Sequence, residues 1–179
     1  FNPWPDSALD MDRSPHLAVL PEVVEGEGVL TTAWAIANGI PVDALIDLGL
    51  TPNAAMPGIL RGVDVAVFAN RCEGGTNLVA MEAMACGVPC ILSANSGHLD
   101  IIGDGNCYPL LDQSQVLDEN DPADVWRESS VDEIVEYLEK AYTDRDDAAR
   151  RGQLGAEFMT GLSWHVQIGK LVDAISDLL

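Results

Sequence analysis

Positive charge is what this sequence has least of. Nine Lys and Arg residues face 29 Asp and Glu, a formal net charge of −20. Binding nucleic acid rests on neutralising phosphates with Lys and Arg, so the composition argues against a nucleic-acid partner. It also argues against a purely electrostatic grip on anionic lipid. The acidic surplus reads as a solubility feature. It carries a further implication: an anionic ligand of this chain must be met by local groups, namely backbone N–H donors, a helix N-terminus or a few arginines.

Cysteine is sparse as well. Cys72, Cys86, Cys90 and Cys107 form no CxxC pair and have no two histidines beside them. A zinc site needs a denser set of ligands, so these read as buried or half-buried free thiols of a reducing compartment. Cys72 has no histidine close in sequence to form a nucleophile pair and reads as inert. Aromatic residues are few, and Trp34, Trp126 and Trp164 read as packing residues rather than base-stacking platforms. Long apolar runs are missing too. The nearest to one, Leu78 to Leu92, is interrupted by Glu82, Gly87 and Pro89, so no membrane span is expected. Phe1-Asn2-Pro3-Trp4-Pro5 opens without Met and without a basic-then-apolar leader, and the expectation is a fragment of a longer chain, resident in the cytoplasm or peripheral at the inner face of the membrane.

What is present is ordered alternation. The length of 179 residues fits a single domain, 1–179. Val29 to Asn38 has helix-like spacing and stops at Gly39; Ala44 to Gly49 is a short buried strand; Asn53 caps a helix to about Arg61. Val63 to Ala69 is β-branched and strand-like, Asn70 to Thr76 is a polar Gly-rich loop, and a helix runs from Asn77 or Leu78 to Gly87. Pro89 to Ser93 is a buried strand, Ser96 to Ile102 a short helix, Asp104-Gly105-Asn106 a turn, and Cys107 to Leu111 a strand. Gln113 to Glu128 reads as a polar loop. Ser130 and Glu133 form a capping box for a helix to about Tyr142 that carries Ile134, Leu138 and Ala141 on one face. Two further helices, 144–159 and 163–179, complete a C-terminal helical region over 130–179, the last of them apolar enough to dock on something. Strands separated by helices make parallel βαβ units, an α/β architecture whose ligands sit at the carboxyl ends of the strands. The Asn70–Asn77 loop lies at such an end and is the default site.

In that loop Gly74 and Gly75 let the backbone approach a ligand closely. Unpaired N–H groups around Thr76, Asn77, Leu78 and Val79 point out of the helix start, where the dipole favours an anion. Glu82, one turn into the helix, is placed to accept hydrogen bonds from paired sugar hydroxyls. With Glu73 it flanks a cradle suited to a ligand that is part polyol and part phosphate. On these grounds two readings stay open, this cradle and a plain strand-to-helix turn. His98, beside Gly97, reads as a surface histidine at a helix start rather than a ligand contact.

The stretch Glu73-Gly74-Gly75-Thr76-Asn77 followed by Glu82-Ala83-Met84-Ala85-Cys86-Gly87-Val88-Pro89 resembles the signature of glycosyltransferase family 4 and its relatives of the GT-B fold. Eight residues, Gly74 to Met81, separate its glutamates, one more than is usual there. Ser93 to Ile102, Asp104 to Tyr108, and Met56 to Phe68 are similar to further segments of the family, in the same order. The resemblance implies a Rossmann-like three-layer α/β domain with a parallel sheet, the C-terminal half of a GT-B enzyme. It implies a nucleotide-diphosphate sugar donor (UDP-, GDP- or ADP-linked), transfer to a carbohydrate, lipid or protein acceptor with retention of configuration, and an N-terminal acceptor domain of the same full-length protein as partner. No metal or other cofactor is implied. Glu82 would hold the ribose hydroxyls. Glu73, the candidate catalytic residue, would contact hydroxyls of the donor sugar. The backbone of Gly74, Gly75, Thr76 and Asn77 would face sugar and diphosphate, and Leu78 and Val79 the phosphates. Arg71 is the nearest substitute for the basic residues with which the family grips the diphosphate, and reads otherwise as a solvated loop arginine. A non-catalytic nucleotide-sugar-binding module and a nucleotide-sugar epimerase are alternatives of the same fold.

Overall fold

The computed structural model describes residues 17–19, 41, 44–48, 51–116 and 126–176. The helix expected at Val29–Asn38, Trp34, and the last residues of the final helix lie outside the described residues. The chain divides into two compact units, Asp6–Asp64 and Val65–Leu179.

In the smaller unit, β1 (Leu17–Val19) pairs in parallel with β2 (Leu45–Asp47), Leu17 opposite Leu45 and Val19 opposite Asp47. The expected strand at Ala44–Gly49 is thus present but shorter, and its partner strand carried no sequence expectation. Asn53 does not cap the next helix. It begins a 3-10 turn, Asn53–Ala55, which runs into α1 (Met56–Arg61) with Ala55 at the N-cap and no side-chain cap bond. Pro57 in the first turn lacks only an N–H that the helix start leaves unpaired anyway.

The larger unit is built on three parallel strands in the order β3 (Ala66–Phe68), β4 (Cys90–Ser93), β5 (Tyr108–Leu110). All four residues of β4 are buried, as a central parallel strand covered on both faces requires. Between β3 and β4 runs α2 (Leu78–Ala85); Gly87, at φ +79°, turns the chain back toward β4. A 3-10 turn at Ser96–Asp100 stands where a short helix was expected.

The segment read as a polar loop is partly a ladder. Beyond β5, β6 (Gln113–Gln115) pairs antiparallel with β7 (Arg127–Ser129), Gln113 opposite Ser129. Both strands are polar and three residues long, so neither shows the apolar alternation by which a strand is read from sequence.

Three helices follow, α3 (Val131–Thr143), α4 (Arg145–Thr160) and α5 (Trp164–Ile175). The apolar spacing of α3 behaves as expected: Ile134, Tyr137, Leu138 and Ala141 pack on Ile91, Tyr108 and Leu110. Burying a side chain such as Ile91 or Leu110 stabilises by roughly 1.5–3 kcal/mol. The capping box forms only in one direction. Ser130 accepts from the Glu133 N–H, but the Ser130 N–H donates to Asp112 O, so the Glu133 carboxylate instead accepts from the N–H groups of Leu111 and Asp112.

α4 buries Ala148, Gly152, Gly155 and Met159; Gly152 faces Gly87 just past α2, Gly155 faces Met84 of α2 and Asn106 of the Asp104–Asn106 turn, and Ala148 joins the cluster of Ile91, Tyr108 and Leu110. α4 is also held by charge. Asp147 accepts from the Tyr108 hydroxyl at 3.1 Å, from Arg151 Nε at 2.7 Å and from Arg150. Burial and the Asp147 bond push the Tyr108 phenol up to about 12. The Arg151 guanidinium lies 4.4 Å from the Tyr108 ring centroid. α5 buries no residue; Trp164, Ile168, Leu171 and Val172 are exposed. Trp126 is exposed too, so neither described tryptophan is the packing residue expected. The cysteines are free thiols, Cys90 and Cys107 buried, Cys72 and Cys86 half-buried.

Candidate functional site

Loops leaving the carboxyl ends of β3, β4 and β5 are hydrogen-bonded together. Asn95, after β4, donates through Nδ2 to Asn70 O at 3.1 Å and to Gln113 Oε1 at 3.2 Å, joining all three. The Ser93 hydroxyl donates to Asn70 O at 2.7 Å. Glu73 is gripped through its backbone: its N–H donates to Ser96 Oγ at 2.7 Å and its carbonyl accepts from the Gly97 N–H at 3.3 Å. Its carboxylate accepts from Asn70 Nδ2 at 3.2 Å and from the Gly75 N–H at 3.4 Å, closing a small ring over the loop.

Asn77 ends the loop in a left-handed conformation, φ 55°, and caps α2 by accepting from the Ala80 N–H at 3.1 Å. Met81 N–H bonds to Asn77 O. The N–H groups of Leu78 and Val79 find no acceptor among the described residues, and both residues are exposed. They are the free donors that the first turn of a helix presents to an anion. Glu82 lies one turn further on, half-buried, and its carboxylate makes no hydrogen bond or ion pair among the described residues. Thr76 turns inward, donating its hydroxyl to Met81 Sδ. Gly74 and Gly75 are exposed. Arg71 stands at the rim, its Nε–H donating to Glu128 of β7 while its carbonyl accepts from the Arg127 N–H.

The structure therefore brings all nine candidate residues, Arg71, Glu73, Gly74, Gly75, Thr76, Asn77, Leu78, Val79 and Glu82, onto one loop and helix start. It corrects one expectation beside them. His98 is fully buried, not a surface residue. Its Nδ1 lies 3.0 Å from Ser93 O and its Nε2 2.9 Å from Asn77 Nδ2. Burial holds its pKa below the ordinary histidine value, against the pull of the Ser93 carbonyl bond and the Glu73 charge. Asn70, Asn95, Ser96 and Gln113, which build the loop framework, were not singled out from sequence. Their one signal is position, polar residues directly following strand ends.

Among the described residues no cluster of three His, Cys, Asp or Glu is arranged to hold a metal ion, and no helix is long and apolar enough to cross a membrane.

A family model described as glycosyl transferases group 1 matches residues 17–139. Among solved structures the chain is similar to the C-terminal domain of a glycosyl transferase group 1 family protein, LpcC, from Francisella tularensis, at 23% identity and a TM-score of 0.52 over 70% of this chain and 56% of that one. It is also similar to sucrose-phosphate synthase from Thermosynechococcus elongatus, at 18% identity and a TM-score of 0.65 over 92% of this chain and 39% of that one. At such identities the likeness is one of fold, and it agrees with the Rossmann-like α/β arrangement expected from the sequence. The chain spans about half the length of the first structure and 39% of the second. No curated protein matches. With the family model matching well over half of its length, and with the signature loop and helix at the carboxyl end of a parallel sheet, the chain belongs to the glycosyl transferases group 1 family.

Proposed function

We propose that this chain is the donor-binding domain of a retaining glycosyltransferase, holding a nucleotide-diphosphate sugar for transfer to a carbohydrate, lipid or protein acceptor. The observation that carries the reading is the pairing of two free donors, the N–H groups of Leu78 and Val79, with a free acceptor, the Glu82 carboxylate, one helical turn away. The first suits a diphosphate and the second a ribose diol. A chain with a net charge of −20 has little else to offer a polyanion than such oriented backbone.

In this reading the diphosphate sits at the start of α2, and the Leu78 and Val79 N–H groups stabilise the negative charge that develops on it as the sugar departs. Glu82 holds the ribose hydroxyls. Glu73, its carboxylate already oriented by Asn70 and Gly75, contacts donor-sugar hydroxyls, with the backbone of Gly74, Gly75 and Asn77 beside it. Arg71 reaches the ligand with guanidinium N–H groups other than the Nε–H that Glu128 holds. No metal takes part. The acceptor is supplied by an N-terminal domain of a longer protein.

Calorimetric titration with UDP, GDP and ADP tests the reading. One nucleotide binds the chain and its affinity falls in Glu82→Ala. Equal binding by wild type and Glu82→Ala would overturn the assigned ribose contact. Absence of binding to all three, in a full-length protein as well as in this chain, would overturn the donor site.

A further inference from the structure

His98 stands between two elements of that site. Its Nδ1 faces a backbone carbonyl, Ser93 O at 3.0 Å, which can only accept, and the Ser93 hydroxyl at 3.1 Å, whose hydrogen is committed to Asn70 O at 2.7 Å, so Nδ1 carries the proton. Nε2 is then a lone pair, and the group 2.9 Å from it is the side-chain amide nitrogen of Asn77, a donor. The amide orientation is fixed independently, because Asn77 Oδ1 is engaged by the Ala80 N–H. A directional chain results: Ala80 N–H to Asn77 Oδ1, Asn77 Nδ2–H to His98 Nε2, His98 Nδ1–H to Ser93 O.

We propose that His98 is a positioning residue of the donor site, which as the neutral Nδ1–H tautomer locks the left-handed Asn77 cap of α2 and so aims the Leu78 and Val79 N–H groups at the ligand. The proposal rests on the donor-site reading above for its functional half. Its structural half stands on the hydrogen-bond geometry alone. Protonation of His98 would place a second donor, Nε2–H, against the Asn77 NH2. The amide could then satisfy the imidazolium only by turning Oδ1 toward it, which removes Oδ1 from the Ala80 N–H and opens the cap. The groups facing the imidazole are Ser93 at the end of β4, Asn77 at the start of α2, and the Glu73 charge from the loop. Burial opposes the imidazolium and outweighs the Ser93 carbonyl bond and the Glu73 charge, which favour it, so the opening falls on the acid side of about pH 6.5.

The test is nuclear magnetic resonance of the whole chain from about pH 8 to about pH 5, with nucleotide titrations at both ends. We expect His98 to show the Nδ1–H tautomer, to titrate below the ordinary histidine value, and to carry the Asn77 NH2 and Ala80 N–H signals with it. In Asn77→Asp the cap oxygen is kept but the donor becomes an acceptor, and the His98 titration moves above the ordinary value. A purely structural role for His98 would not reverse that sign. His98→Phe should speed exchange of the Ala80 amide. An Nε2–H tautomer, or a His98 titration that Asn77→Asp leaves in place, overturns the bridge. Whichever of UDP, GDP or ADP binds near pH 8 should bind about fivefold or more weakly once His98 is protonated, the usual effect of losing a cap hydrogen bond. Affinity constant across the His98 titration overturns the link to the donor site while leaving the bridge intact. Absence of binding to all three at either pH overturns the functional half through the donor-site reading, and the resonance measurements still decide the bridge.

Discussion

A β-carbon added to Gly97 would fall 1.3 Å from the carbonyl oxygen of Gly75 and 3.1 Å from that of Glu73. The loop after β3 and the turn after β4 thus touch backbone to backbone, and only glycine admits the contact. Gly97→Ala must push the Glu73–Gly75 segment away. The expected result is a loss of roughly 2–4 kcal/mol in stability, as for other overpacked buried positions, together with loss of nucleotide binding. Urea denaturation and calorimetric titration measure the two. Unchanged binding in the folded variant would show that the loop position does not matter to the ligand.

Gly152 reverses a familiar rule. Glycine to alanine inside a helix ordinarily stabilises by about 0.5–1 kcal/mol. Here the new β-carbon would lie 2.1 Å from Gly87 O and 3.2 Å from Pro89 N, where α4 crosses the end of α2. Gly152→Ala should therefore destabilise, by about 2 kcal/mol, read as a lower urea midpoint.

Glu82 offers the opposite separation. Its carboxylate has no partner among the described residues, so Glu82→Ala should alter stability by less than about 0.5 kcal/mol while weakening nucleotide binding about tenfold or more, the effect of losing hydrogen bonds to a charged group. A melting temperature that falls along with affinity would contradict the first half.

Asp147 makes stability depend on acid. Burial alone would raise its carboxyl, but hydrogen bonds from Arg151 and Arg150, the Arg151 charge and the Tyr108 hydroxyl bring it down to about 2 from the ordinary 3.8. The folded state therefore binds fewer protons than the unfolded one between those values, and stability rises with pH across that window. The stabilisation is complete above pH 3.8 and is lost as pH falls through about 2. Asp147→Asn should cost on the order of 2 kcal/mol at neutral pH. In paired denaturation curves, the difference should close toward the acid end.

Much of this architecture is legible in the order of the residues. The runs at Val63–Ala69, Pro89–Ser93 and Cys107–Leu111 are apolar because parallel strands are covered on both faces, and each contains a strand of the sheet. The Gly-rich loop and the start of α2 are legible because a polar, glycine-rich stretch between a β-branched run and a run of good helix formers marks a strand end followed by a helix start. Other features leave no local trace. The Gln113–Gln115 ladder with Arg127–Ser129 is polar throughout, and it is set by backbone pairing rather than by periodicity. His98 follows a glycine in a turn, which is the signature of an exposed residue; its burial depends on Ser93 and Asn77, five and 21 positions away. The half-formed box at Ser130 fails for a reason equally remote, the claim of Asp112 O on the Ser130 N–H.

The bonds from Asn95 to Asn70 O and Gln113 Oε1 have a practical meaning for anyone wishing to re-tool this domain. Three loops that would elsewhere be independent modules here share one amide. Grafting a foreign loop into any single position breaks the junction unless Asn95 and its two acceptors travel with it, so the smallest transplantable piece of this surface is the trio of strand exits, moved together.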